Sequence, residues 1–265
     1  MGVFDTAKGA VLCRKAYKTY SEAVELGRTD RPDEAKAKYH SALEQYAQSV
    51  ALGYKMPNSM LSYALLLMRE GEYERAKEIM LELNKTPKLP DDARFQLRVN
   101  YSVYQWKTGK LDEAIATIRR AGDIKLNGTV YSMLGMYLVD KARQTGDFEE
   151  ALAFNASAMD YDDEDGEVLD NMGQLYALMA QAARERGETE QAGEYRKKAW
   201  EYFVKAHKAA PRQITTIYYL ASMCLEDGEC EKAAKLLSNA ETLYYSDVCP
   251  IKKAQMLALK QEVNG

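Results

Sequence analysis

Apolar residues recur every three or four positions on both sides of Gly71. Ahead of it and then after it they are Met60, Leu61, Tyr63, Ala64, Leu67 and Met68, followed by Tyr73, Ala76, Ile79, Met80 and Leu83. This spacing places apolar side chains along one face of a helix, so the stretch predicts two amphipathic helices. Glycine adopts the left-handed conformation that ends a helix without steric cost, and the small Ala64 and Ala76 let two helices approach closely. The pattern therefore predicts an antiparallel helical hairpin with its turn at Gly71.

The same glycine-led corner returns along the rest of the chain. The copies are GEYERA from Gly71, GKLDEA from Gly109, GDFEEA from Gly146, GETEQA from Gly187 and GECEKA from Gly228. Each copy sets a glycine five residues before an alanine, and successive glycines are 38, 37, 41 and 41 residues apart. A repeated period of this length is the sequence signature of a repeat protein, in which each hairpin buries its apolar face against the next.

The repeated unit resembles the tetratricopeptide repeat (TPR). That family places a small residue in the first helix, a glycine at the turn and an alanine in the second helix. The matches in three hairpins are Ala64, Gly71, Tyr73 and Ala76; Ser102, Gly109, Leu111, Ala114 and Ala121; and Ala221, Gly228, Cys230, Ala233 and Ala240. The resemblance implies an all-α fold, a TPR-like solenoid in which antiparallel helix pairs form a right-handed superhelix. An irregular all-α bundle is the alternative, and the repeated glycine-to-alanine offset argues against it.

Two hairpins depart from the family length. Their small residues, Gly135 and Gly173, lie eleven and fourteen residues before the turn glycines instead of seven, so we expect longer helices there. The predicted organisation is a divergent N-terminal hairpin over residues 1–56, an array of about five hairpins over 57–245 and a C-terminal capping helix over 246–265.

Composition and charge favour a folded protein that binds neither nucleic acid nor membrane. Hydrophobic residues make up 46% of the 265 positions and charged residues 29%, which is enough to form a core. Lys and Arg number 36 against 40 for Asp and Glu, so the net charge of −4 lacks the basic excess of a nucleic-acid-binding surface. No window approaches 18 uninterrupted apolar residues, and no basic start precedes a long apolar run. We therefore expect neither a membrane span nor a secretory signal.

The cysteines and the N-terminal residues of the chain bear on the cellular compartment of the protein. The four scattered cysteines, Cys13, Cys224, Cys230 and Cys249, are expected to be free thiols in a reducing cytoplasm, with a bridge between Cys224 and Cys230 left open. The start of the chain fits the loose myristoylation pattern M-G-x-x-x-[ST], but no polybasic second signal follows it.

No residue pattern points to catalysis or to a bound metal. The two histidines, His40 and His207, each fall inside an amphipathic helix among lysines and alanines, and no metalloprotease, P-loop, nucleophile-elbow or dinucleotide motif occurs. The acidic run at 160–167 fails as a calcium loop, because Tyr161 and Met172 stand at its first and last ligand positions. We interpret those carboxylates as the cap of a following helix. The sequence thus predicts no enzyme activity, no cofactor and no metal.

The TPR resemblance implies a concave groove, lined by the first helix of each hairpin, that holds a peptide or a helix of a partner protein. Read off by register, the expected groove residues are Asn58, Leu61, Leu65, Met68, Gln96, Val99, Val103, Trp106, Ser132, Met136, Val139, Asp170, Gln174 and Tyr218. The first members are apolar, which is typical of a binding surface, although the N-terminal helices could instead cover them. The family subgroup that clamps terminal carboxylates is not expected, because leucines and valines stand where its polar residues would be needed.

The sequence therefore predicts a cytoplasmic, non-enzymatic scaffold that binds a peptide or helical segment of a protein partner in a partly apolar concave groove. The alternative is a self-assembling homo-oligomer whose groove is filled by its own chains. The identity of the partner stays open.

Overall fold

The computed structural model describes residues 3–264, with side chains from 4 to 263. The lipidation pattern on the first two residues therefore lies outside the described residues. Within the described range, all regular structure is helical, which confirms the all-α prediction. The helices are α1 (Val3–Gly27), α2 (Pro32–Ala51), α3 (Pro57–Arg69), α4 (Tyr73–Asn84), α5 (Asp91–Lys107), α6 (Leu111–Gly122), α7 (Gly128–Thr145), α8 (Glu149–Tyr161), α9 (Gly166–Glu185), α10 (Thr189–Ala209), α11 (Ile214–Glu226), α12 (Cys230–Leu236), a 3-10 turn (Ala240–Thr242) and α13 (Lys253–Asn264).

The chain forms two compact units. Unit 1 comprises the described residues up to Lys110 together with Thr242–Cys249, and unit 2 comprises Leu111–Glu241 together with the described residues from Pro250 onward. Within the units, the helices pack in consecutive antiparallel pairs, as the TPR resemblance implies. The domain boundaries read from the repeat, after residues 56 and 245, stay predictions.

The glycine at each hairpin turn has the conformation that the repeat predicts. Gly71, Gly109, Gly146, Gly187 and Gly228 all have φ between +72° and +81°. At the first turn, the amide that follows the glycine donates back into the preceding helix at 2.9 Å, and three other turns repeat this bond. Such a bond satisfies a carbonyl that the helix end leaves unpaired. A side chain would disfavour this backbone conformation, which is why glycine stands at the turns where the chain reverses.

Unit 1 is held together by one hydrophobic core shared by α1 to α5. Ala64 and Ala76, the small residues of the repeat, are fully buried between α3 and α4. The side-chain amide of Asn100 on α5 donates to the main-chain carbonyl of Leu61 on α3 at 3.0 Å. Because both groups are buried, this bond fixes the register of two successive first helices.

Unit 2 contains the long hairpin that the sequence predicts. Helices α9 and α10 span 20 and 21 residues, against 13 and 12 for α3 and α4. Gly173 lets α10 come close, because a Cβ at that position would lie 2.6 Å from the ring of Phe203. Asn171 on α9 donates to the carbonyl of Ser132 on α7 at 2.9 Å, repeating the 39-residue step between Asn100 and Leu61. The C-terminal helix α13 packs against α11 and α12.

The last hairpin is shorter than the family pattern suggests. Its second helix, α12, ends at Leu236, and Ala240, which matches the repeat, lies instead in the 3-10 turn. Leu237 and Ala240 are both buried and three residues apart, a spacing that matches the three residues per turn of a 3-10 helix.

Candidate functional site

The predicted groove residues all lie on first helices, but the structure divides them by exposure. Residues that belong to packed interiors, with at most 8% of their surface exposed, are Leu61, Met68, Val99, Ser132, Val139, Asp170 and Gln174. Partly exposed residues are Leu65, Val103, Trp106, Met136 and Tyr218, and fully exposed ones are Asn58 and Gln96. A ligand on the face of these helices could therefore touch about half of the predicted set without rearrangement.

In unit 1, the accessible part of the predicted groove is a small apolar surface on α3 and α5. Leu65 and Val103 are half-buried and pack against the core of this unit. Trp106 follows one turn later on α5, and the ammonium of Lys107 lies 4.4 Å from the centroid of its ring.

In unit 2, the first helices and α10 enclose a cavity of about 630 Å³. Its apolar wall includes Ala177, Leu178, Ala199 and Met223, and Tyr218 and Tyr219 stand beside it. Cavities of several hundred Å³ that combine an apolar wall with a few polar groups are the usual form of ligand sites. This cavity is therefore the candidate binding site of unit 2.

Arginines occupy the rim of this cavity. Arg143 on α7, Arg184 on α9 and Arg196 on α10 all line it. Arg196 bridges to α11, where it donates to the carbonyl of Met223 at 3.1 Å and pairs with Glu226 at 3.2 Å. Arginine carries several donors and no acceptor, so groups on this rim can bind carbonyl or carboxylate oxygens of a ligand.

A buried carboxyl group holds Gln174, a residue that lines the cavity beside Arg143. Asp170 is 2% exposed and accepts hydrogen bonds from the Thr216 hydroxyl at 2.6 Å and from the Gln174 amide at 2.7 Å. Burial raises the pKa of Asp170 to about 6, and these hydrogen bonds oppose the shift. Because the amide nitrogen of Gln174 faces Asp170, its oxygen faces Arg143 and accepts a hydrogen bond at 2.9 Å.

The same guanidinium also reaches the aromatic side of the cavity. Arg143 donates to the hydroxyl of Tyr219 at 3.1 Å and pairs with Asp140 one turn earlier on its own helix. Tyr219 in turn stacks on Phe203, with ring centroids 5.3 Å apart. Asp170, Gln174, Arg143 and Tyr219 thus form one hydrogen-bonded chain that holds the arginine in place at the cavity.

The set of groove residues predicted from the sequence included Gln174 and Tyr218, which line the cavity, but it missed the three arginines. The signal that would have found two of them was present, because Gly135 and Gly173 had already indicated that α7 and α9 are longer than the family pattern. Continuing the groove register by one turn beyond Val139 gives Arg143, and by about three turns beyond Gln174 gives Arg184.

Within residues 3–264, which the structure describes, no group of three or more His, Cys, Asp or Glu side chains is arranged to hold a metal ion. None of the helices in that range is long and apolar enough to cross a membrane. All four cysteines are free thiols, including the Cys224 and Cys230 pair.

No family model matches the sequence, and no curated protein matches it either. Among solved structures, the chain is similar to YrrB, described as a TPR protein with an unusual peptide-binding site. The identity is 18% and the TM-score 0.44, over 70% of this chain and 84% of that one. It is also similar to the TPR2AB domain of yeast Sti1 in a complex with pHSP90, at 14% identity and a TM-score of 0.36, over 95% and 99% of the two chains.

A third neighbour is found in the structure of Naa15/Naa10 bound to HypK-THB. The identity is 14% and the TM-score 0.41, over 97% of this chain and 34% of that chain. TPR proteins are thus structural neighbours over most of the chain, and the likeness concerns the fold alone.

Proposed function

We propose that this protein is a non-enzymatic, cytoplasmic interaction scaffold that binds a peptide or helical segment of a partner protein. The observation that carries the proposal is the cavity of about 630 Å³ on the first helices of unit 2. The predicted groove residues that stay accessible are proposed as contacts: Asn58, Leu65, Gln96, Val103 and Trp106 in unit 1 and Met136 and Tyr218 in unit 2. Free thiols support a reducing compartment.

The chemistry of the cavity favours a peptide with mixed character. An apolar or aromatic side chain of the ligand fits against Leu178, Met223 and Tyr218, where burial of apolar surface contributes about 25 cal/mol per Å² before ordering costs. Arg143 and Arg184 then supply donors for main-chain carbonyls or an acidic side chain of the same segment. The hydrogen-bonded chain from Asp170 to Arg143 holds one donor in advance, which reduces the ordering cost of binding.

Selection of peptides against the full-length chain tests this proposal. A random peptide library is panned on the protein, and the selected peptides are titrated against wild type and two variants by calorimetry. Ser222→Trp fills the cavity from α11, and we expect it to weaken binding by about tenfold or more.

Ser157→Trp is the matched control. Both serines lie on helices and donate to the carbonyl four residues before them, at 2.9 Å for Ser222 and 3.2 Å for Ser157, but Ser157 is exposed on α8 and remote from the cavity lining. It should bind the peptides as wild type does. Equal affinity of wild type and Ser222→Trp, or a selection that yields no binding peptide, would contradict the proposal.

A further inference from the structure

Unit 1 includes a short non-helical segment from far along the chain, Thr242–Cys249. The segment begins with the last residue of the 3-10 turn, has no helix after it and ends just before Pro250. Leu243 and Ser246 are 3% and 8% exposed, and the half-buried Tyr244 and Val248 pack against the core of unit 1. The segment is therefore seated in a formed site and is not a loose connection.

An aromatic ring and a guanidinium hold the first part of the segment. The Tyr244 ring stacks on the Tyr39 ring of α2, with centroids 4.8 Å apart and an interplanar angle of 28°. The Arg69 guanidinium at the end of α3 lies 4.3 Å from the Tyr39 centroid and 5.2 Å from the Tyr244 centroid. A stacking ring and a guanidinium within reach of both rings favour an aromatic side chain at position 244, because a smaller residue would lose both contacts.

An acidic side chain and main-chain bonds hold the second part. The amide of Asp247 donates to the main-chain carbonyl of Arg69 at 2.9 Å, and the hydroxyl of Tyr73 donates to the Asp247 carboxylate. The ammonium of Lys107 donates to the main-chain carbonyl of Cys249 at 3.0 Å. The carbonyl of Arg69 lies in the last turn of α3, where the helix supplies no partner for it, and the amide of Asp247 satisfies it.

The turn at Gly71 leaves room for this carboxylate. A Cβ on Gly71 would lie 3.5 Å from the Cγ of Asp247, so the carboxyl group already rests against the glycine. The site thus recognises two side chains, an aromatic residue and an acid three positions later. It also binds the main chain of the segment at the acid and two residues after it. None of these contacts belongs to the cavity of unit 2.

We propose that this edge of unit 1, formed by Tyr39, Arg69, Tyr73 and Lys107, is a second peptide-binding site. Its ligand class is a non-helical segment of a partner protein that has an aromatic residue three positions before a carboxylate and turns at the carboxylate, as residues 246–249 do. Residues 242–249 are the resident occupant, and a partner segment of the same pattern binds by displacing them.

Displacement is physically accessible because the resident segment has no regular secondary structure after Thr242. Short segments without secondary structure open more easily than helices do, since their release breaks only their own contacts. The resident is part of the same chain, so it competes at a high effective concentration and lowers the apparent affinity for an added peptide. A chain with a weakened resident segment should therefore bind the peptide more tightly.

A peptide with the sequence of residues 241–250, labelled with fluorescein and carrying serine in place of the cysteine, tests the proposal. It is titrated by fluorescence anisotropy against the wild-type chain and against the full-length double variant Tyr244→Ala with Asp247→Ala. We expect the variant to bind at least about tenfold more tightly than wild type. A control peptide with the same two replacements should bind neither protein.

A second measurement uses the wild-type chain, so that the result does not depend on the folding of the variant. Hydrogen exchange of residues 242–249 is followed with and without a saturating amount of the peptide, and displacement should speed exchange in that segment. The proposal would be overturned if the peptide bound wild type and a double variant that retains its helical structure with equal affinity. Unchanged hydrogen exchange in residues 242–249 would overturn it as well. Ser222→Trp should not alter this binding, which separates the outcome from that of the cavity in unit 2.

Discussion

At the scale of single residues, two glycines inside helices have opposite roles. Gly173 on α9 faces the ring of Phe203, where an added Cβ would come within 2.6 to 2.9 Å of three ring carbons. Gly193 on α10 has nothing within 4 Å of where its Cβ would be. The first glycine permits the close approach of two long helices, and the second has no packing reason to be a glycine.

We therefore predict opposite signs for the two alanine variants. Gly173→Ala should destabilise the protein by about 1–3 kcal/mol, because the aromatic ring or the helix must shift to make room. Gly193→Ala should stabilise it by up to about 1 kcal/mol, because alanine has the higher helix propensity. Urea unfolding of both variants measures the two changes, and a loss of stability in Gly193→Ala would contradict the packing of α10.

The buried Asp170 makes stability depend on pH. Burial raises the pKa of Asp170 in the folded chain to about 6, above its ordinary value of 3.8. The folded state therefore binds the extra proton between these two values, and its stability falls as the pH rises through about 6.

Asp170→Asn should remove this slope. Asparagine keeps the oxygen that accepts from Thr216 and cannot ionise. Relative to wild type, the free energy of unfolding of the variant should rise by about 2 kcal/mol between pH 4 and pH 7.5. Urea unfolding across this range measures the difference, and parallel pH profiles of variant and wild type would show that the carboxyl group is not the source.

At the scale of elements, first helices are placed against one another by buried amides. Asn100 and Asn171 each donate to a carbonyl 39 residues earlier, on the preceding first helix of the same unit. A one-turn slip of either helix would leave the asparagine amide buried without this partner, which costs about 1–3 kcal/mol. These polar contacts, as well as apolar packing, therefore set the register on which the candidate cavity depends.

The start of α9 is set by one member of the acidic run. Asp165 accepts hydrogen bonds from the amides of Glu167 at 2.8 Å and Val168 at 3.2 Å, so it is the N-cap of this helix. Asp163 lies two residues earlier and is exposed. The helix-capping interpretation of this run is thus confirmed for Asp165.

Asp165→Ala should lower the free energy of unfolding by about 1 kcal/mol, because two amides at the helix start lose their acceptor. Asp163→Ala is the matched control, with the same loss of charge in the same loop, and should change stability by less than about 0.5 kcal/mol. Thermal unfolding of the pair decides the matter. Equal losses in both variants would mean that the charge of the loop matters and that the cap does not.

At the scale of the whole molecule, surface charge contributes little to stability. Ion pairs of the described residues have a partner that is 39% or more exposed in the pairs of Arg28, Arg31, Arg75, Lys77, Arg94, Arg143 and Arg196, and most of these join residues three apart. Solvent screens such pairs, so each contributes between zero and about 1 kcal/mol. The buried residues of each unit, and not its charges, must therefore supply the stability.

The melting temperature should accordingly be insensitive to salt. Raising NaCl from about 50 mM to about 500 mM should shift it by less than about 2 °C, because the added ions screen pairs that already contribute little. Calorimetry at the two concentrations measures the shift. A fall of more than about 5 °C would reveal an ionic network that holds the molecule together.

The chain by itself determined the helices and their turns. Helical spacing of apolar residues and a glycine with positive φ act within a few positions of each other, so Gly71 and its repeats can be recognised without knowledge of the fold. The longer α9 and α10 followed in the same way from the position of Gly173.

Burial and the two candidate sites were decided by the tertiary structure. The register placed Leu61 and Leu65 on the same helix face, but packing against neighbouring helices buried the first and left the second half-exposed. The packing of Tyr244 against Tyr39 and Arg69 brings together residues about 200 positions apart in the sequence, and no local pattern encodes such a contact. Local stereochemistry sets which residues form a helix, whereas the surface that remains free to bind depends on every segment that packs against it.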